Sequence, residues 1–73
     1  MAEYISHPTT SALGQQVEYR EYLSEGHSPA ERRVRVVVSG KTVAIGWASD
    51  GVTYAKYAQI VKEGYRAEDR NEG

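Results

Sequence analysis

Residues 32–47, RRVRVVVSGKTVAIGW, decide the fold. Val34, Val36 and Val38 alternate with Arg33, Arg35 and Val37, and Ser39-Gly40 breaks the run before Lys41 to Trp47. Alternating branched residues on both sides of a two-residue break read as a β-hairpin, and Gly40 supplies the positive φ such a loop needs. A loop at Ser39-Gly40 pairs Val38 with Lys41, Val36 with Val43, Val34 with Ile45 and Arg32 with Trp47. With a side-chain period of two, these pairs share one branched, aromatic face. Arg33, Arg35 and Val37 then share the other face with Gly46, Ala44 and Thr42.

Two segments fit around the hairpin. Upstream, Val17, Tyr19 and Leu23 alternate with Glu18, Arg20 and Tyr22 through VEYREYL, a further strand, with Glu21 interrupting its apolar side. SEGHSPAE, 24–31, is its loop, broken by Gly26 and Pro29. Downstream, Tyr54, Tyr57, Ala58, Val61 and Tyr65 recur at i, i+3, i+4, i+7 and i+11, one face of an amphipathic helix. Asp50 or Thr53 can cap its start, and Gly64 ends it. The expected fold is α+β: a three-stranded antiparallel meander with the C-terminal helix packed on the Val34/Val36/Ile45/Trp47 face.

The ends are weaker in signal. MAEYISHPTTSALGQQ has Pro8 and a Thr-Thr-Ser run, so 1–16 reads as a flexible arm with at most one helical turn between Thr10 and Gln16. Tyr4 and Ile5 are an apolar pair on that arm; they either extend the core or dock on a partner. The domain is then 17–66, followed by a disordered acidic tail over 67–73.

Composition narrows the chemistry. The 73 residues contain no cysteine, so no disulfide or thiolate metal site is possible. His7 and His27 stand alone in loose segments, short of the three or four convergent ligands a metal needs. The glycines fall singly, with no phosphate loop among them, and no nucleophile, base and orienting group share a rigid element. An enzyme is not expected, nor a cofactor. No apolar run approaches the roughly 20 residues of a membrane span, and no signal peptide opens the chain, so a cytoplasmic monomer is expected.

The net charge of −1 conceals a segregation. Residues 1–31 carry five acids against Arg20; residues 32–66 carry seven bases against Asp50 and Glu63; the tail is acidic again. A basic middle flanked by acidic segments suits a partner of mixed potential. Candidate contact residues are Tyr4 and Ile5 as an anchor, with Arg33, Arg35 and Lys56 as basic contacts.

Two resemblances bear on the partner. Tyr19, Gly26-His27, Val34/Val36, Gly40-Lys41 and Ala55-Lys56 resemble a double-stranded-RNA-binding domain over some 45 residues. That family's fold runs helix, three strands, helix, and the resemblance implies phosphate contacts on duplex RNA. Val52 and Thr53 stand where the family has adjacent lysines, and its long first helix is reduced to a turn. In size and general character the chain also resembles small lytic-bacteriophage transcription regulators. That likeness implies docking on the large catalytic subunits of host bacterial RNA polymerase, displacing sigma factor, inhibiting initiation and promoting antitermination. Non-catalytic binding to RNA polymerase is the expected function, with duplex RNA binding the alternative.

Overall fold

The computed structural model describes residues 3–23 and 31–66. The first-loop Gly26-His27 and the tail 67–73 lie outside the described residues. The chain is α+β, with an antiparallel sheet and one C-terminal helix. Strands β1 (Tyr4–Thr10), β2 (Gln16–Tyr22), β3 (Arg33–Val38) and β4 (Lys41–Trp47) pair in sequence order, and a 3-10 turn (Ala48–Asp50) leads into helix α1 (Val52–Glu63). No helix among the described residues is long and apolar enough to cross a membrane.

The sheet has four strands, not the three expected, because part of the supposed arm is β1. It pairs with β2 along its whole length, from Tyr4 opposite Tyr22 to Thr10 opposite Gln16. Pro8 disfavours helix at His7, but an edge strand leaves every second N–H unpaired, and a proline there costs no ladder bond. Ser11–Gln15 then form a tight connection rather than a helical turn. The Ser11 hydroxyl accepts from the Leu13 and Gln15 amides at 3.2 and 3.1 Å and donates to the Gln15 side chain.

The hairpin loop is as expected, but the register beyond it is not. Ser39 and Gly40 both have positive φ, the signature of a type I′ turn, and Val38 faces Lys41. Val37 faces Thr42, but Val36 then faces Ala44, so Val43 is an extra residue in β4. Such a bulge moves every following side chain to the other face of the sheet. Val34 is consequently opposite Gly46, and Arg33, not Arg32, is opposite Trp47.

The reason lies in the helix. Val17, Tyr19, Val34, Val36, Val38 and Ile60 form the core, and α1 lies across β2, β3 and β4 on that side. Ala44 and Gly46 are the β4 residues beneath it, and a Cβ on Gly46 would collide with the buried Thr53 hydroxyl. Ile45 and Trp47 in that row would hold the helix off the sheet. The helix is rotated to match: Thr53, Tyr57, Ile60 and Val61 face the sheet, while Tyr54 and Ala58, expected inward, are exposed.

Both helix ends are secured. The Asp50 carboxylate accepts from the Val52 amide at 2.8 Å, and the Gly64 amide returns to the Ile60 carbonyl at 2.6 Å. Beyond Gly64, the Gln15 side chain brackets the Tyr65 backbone, donating to its carbonyl at 2.7 Å and accepting from its amide at 2.8 Å. The β1–β2 connection thereby fastens the end of α1 to the sheet.

The register sets the ranking of two substitutions. Trp47→Ala should cost about 1 kcal/mol, the scale of an exposed cation–π contact, instead of the 3–5 kcal/mol of a buried aromatic. Gly46→Ala should cost about 1–3 kcal/mol by overpacking the helix contact. Urea unfolding of both variants checks the order; a Trp47→Ala loss exceeding that of Gly46→Ala would return Trp47 to the core.

Candidate functional site

The face opposite α1 is covered by no described element. Alternation along four strands arranges its side chains in rows across the sheet. Tyr4, Tyr22, Arg33 and Trp47 form the end row, one residue from each strand. Ser6, Arg20, Arg35 and Ile45 form the next, and Pro8, Glu18, Val37 and Thr42 the third.

The first two rows are stacked on one another. The Arg33 guanidinium lies 4.6 Å from the Trp47 ring centre, Arg35 5.3 Å from Tyr22 and Arg20 4.6 Å from Tyr4. Tyr4 and Tyr22 are themselves 5.1 Å apart, tilted at 45°. Each cation–π contact at such an exposed position contributes about 0.5–1 kcal/mol. Trp47 is still 47% exposed and Ile45 57%.

Charge on this face is unevenly satisfied. Arg20 donates to the Glu18 carboxylate at 2.9 Å and to the Tyr22 hydroxyl at 3.2 Å, and Ser6 donates to the same carboxylate. Burial pushes the Glu18 carboxyl up, but the bonds from Ser6 and Arg20 and the Arg20 charge outweigh it and hold it below its ordinary value. The bonds to Tyr22 and Glu18 raise Arg20 above its own ordinary value. Arg33 and Arg35 form no ion pair among the described residues. Each of these two cations rests against a ring, and a shallow depression of about 310 Å³ lies at the third row, where Pro8, Glu18, Arg20 and Val37 meet.

The sequence-derived candidates divide between faces. Tyr4 joins Arg33 and Arg35, whereas its neighbour Ile5 points to the helix side, opposite Glu21, so the two are not one anchor. Each is 40% exposed, held in a strand rather than on a free arm. Lys56 is on α1, across the sheet from both arginines, and cannot act with them. Sequence reasoning missed Arg20, Tyr22, Ile45 and Trp47. Arg20 and Tyr22 were legible as alternate residues of VEYREYL, but Ile45 and Trp47 were hidden by the bulge.

A second concavity, about 530 Å³, opens on the helix side among His7, Tyr19, Glu21, Tyr54 and Tyr57. His7 Nε2 is 2.8 Å from Glu21 Oε1, Arg32 Nη1 is 3.7 Å from the other carboxylate oxygen, and the Tyr57 hydroxyl donates to the His7 carbonyl at 3.2 Å. Burial pushes the Tyr19 and Tyr57 phenols up, reinforced at Tyr19 by the Glu21 charge. The three tyrosine rings stand 5.2–5.8 Å apart, packed against each other, and the carboxylate is already partnered. This is the rim of the core. Among the described residues no group of three or more His, Cys, Asp or Glu could hold a metal ion.

Comparison with family models, curated proteins and solved structures finds no match for this chain.

The Glu18 network makes an acid-side prediction. A carboxyl with a lowered folded pKa contributes stability above the ordinary carboxylate range and loses it as pH falls through the folded value. Melting curves from pH 6 downward should therefore decline below about pH 4.5, the ordinary value. Glu18→Gln should flatten that decline. An unchanged acid limb in the variant would show that the network contributes nothing.

Proposed function

We propose that this protein is a non-catalytic binding domain that holds a nucleic acid on the helix-free face of its sheet. One observation carries the reading: Arg33 and Arg35 project from that face with aromatic partners and no described carboxylate. A guanidinium fixed by a ring keeps its donors free for phosphate, and losing less rotamer freedom on binding strengthens each contact. Rings beside those cations give base faces something to stack on, at about 1–3 kcal/mol per base.

A second reading uses the same surface. Ile45 and Trp47 present exposed apolar groups beside arginine and tyrosine, the side chains in which protein interfaces concentrate their energy. A large protein partner, bacterial RNA polymerase above all, with inhibition of initiation and antitermination as the outcome, fits that composition. Its anchor would be the open face, since Tyr4 and Ile5 belong to a strand. Either ligand is compatible with the cytoplasmic setting expected from the sequence. Duplex RNA recognition is less well supported, because Lys56 and the two arginines lie on opposite sides of the sheet.

Salt titration tests the first reading. Two or three phosphate contacts give a slope of log K against log salt near −2, or roughly a 15-fold loss between 50 and 200 mM salt. Replacing both Arg33 and Arg35 with Gln should reduce that slope by about 1.5. Salt-insensitive binding to purified RNA polymerase, with no oligonucleotide binding, would favour the second reading instead.

A further inference from the structure

Resting on the nucleic-acid reading above, the geometry points to a single strand as the ligand, its bases lying along the end row and its backbone passing over the row behind. We propose that Tyr4, Tyr22, Arg33 and Trp47 form one stacking platform and that Arg35, together with the edge of the Arg33 guanidinium, meets the phosphates.

The platform follows from the register. Its four residues lie on one line across the strands, so neighbours are separated by a strand spacing of about 4.8 Å and the row spans roughly 14 Å. All four side chains are planar, and a guanidinium plane takes a base as a ring does. Each ring has one face against a guanidinium, so the row offers a base the exposed remainder of its ring and guanidinium surfaces, over a width of about three bases. Arg35 stands two residues further along its strand, about 7 Å behind the row, within reach of a sugar–phosphate chain whose bases lie on it.

Charge and stacking together decide between single strand and duplex. The face carries three arginines, one of them already bound to Glu18, so its electrostatic term is small. A duplex keeps its base faces stacked internally and can use only that term. An unpaired strand adds the rings, each stacked base bringing about 5- to 150-fold in affinity. A surface with few charges and many planar groups is built for the second ligand. Such stacking tolerates any base, so little sequence preference is expected.

Neither sheet edge competes for this role. Pro8 interrupts the outer edge of β1 and the Val43 bulge interrupts that of β4, two devices that discourage strand addition. Binding is thereby left to the face.

The experiment uses the full chain with fluorescein-labelled 12-mers of mixed sequence, as single-stranded DNA, single-stranded RNA and DNA duplex, at 50 mM salt. Anisotropy gives affinity, and quenching of Trp47, the chain's one tryptophan, reports contact directly. Single strands should bind at least tenfold tighter than duplex and quench Trp47. Trp47→Leu should weaken single-strand binding about tenfold while leaving duplex binding near wild type and the chain folded, its melting transition lowered by only several degrees through loss of the Arg33 contact, and Trp47→Phe should restore most of the loss. Equal affinity for single strand and duplex, with no effect of Trp47→Leu, would overturn the single-strand assignment and leave a purely electrostatic surface. Absence of binding to all three at 50 mM salt would overturn the nucleic-acid reading with it.

Discussion

Close approach between α1 and Gly46 is the constraint on which the rest of the structure depends. Thr53 sits where a side chain on residue 46 would be, so β4 must present its small residues to the helix. The type I′ turn at Ser39-Gly40 fixes the start of β4 in the opposite phase, with Val38 and Lys41 as its first pair. One extra residue reconciles the two demands. Val43 supplies it and remains against the core as the strand passes from one phase to the other.

That adjustment creates the open face as much as the core. Ile45 and Trp47 are turned away from the helix, where they meet Arg35 and Arg33 from the neighbouring strand. Tyr22 and Tyr4 continue the row because β2 and β1 pair without interruption. Rings and guanidinium groups cover one another, lessening the cost of placing large apolar surfaces in water. The same arrangement keeps two cations oriented outward. Core packing and the open face of rings and cations are consequences of a single register.

Much of this was legible in the sequence, and the failures have physical causes. Valine alternation, the Ser39-Gly40 break and the 3.6-residue recurrence after Gly51 specify the hairpin and helix, because they report local periodicity. β1 has no such pattern: its residues are exposed apart from a half-buried Thr9, and it is held by the ladder and by edge contacts such as Ser6 with Glu18. A strand without a buried face leaves no apolar alternation to read. The bulge leaves none either, since both phases of KTVAIGW look like strands and the apolar count favours the wrong one. Small size at Ala44 and Gly46 was the available signal, meaningful only once a helix is known to pass overhead. Arg33 and Arg35 were found because β3 is regular; Trp47, their partner, was placed on the wrong side by the residue that makes the site.

Quenching of the Trp47 fluorescence by acrylamide or iodide in the folded, ligand-free protein tests the register most directly, since no other tryptophan contributes. The account predicts an emission close to that of a solvated indole and quenching a substantial fraction of that in the urea-unfolded chain. Iodide should be more effective than a neutral quencher of equal access, drawn by Arg33. A blue-shifted emission that resists both quenchers in the native state would place Trp47 beneath the helix and contradict the bulge, the rows and the site built on them.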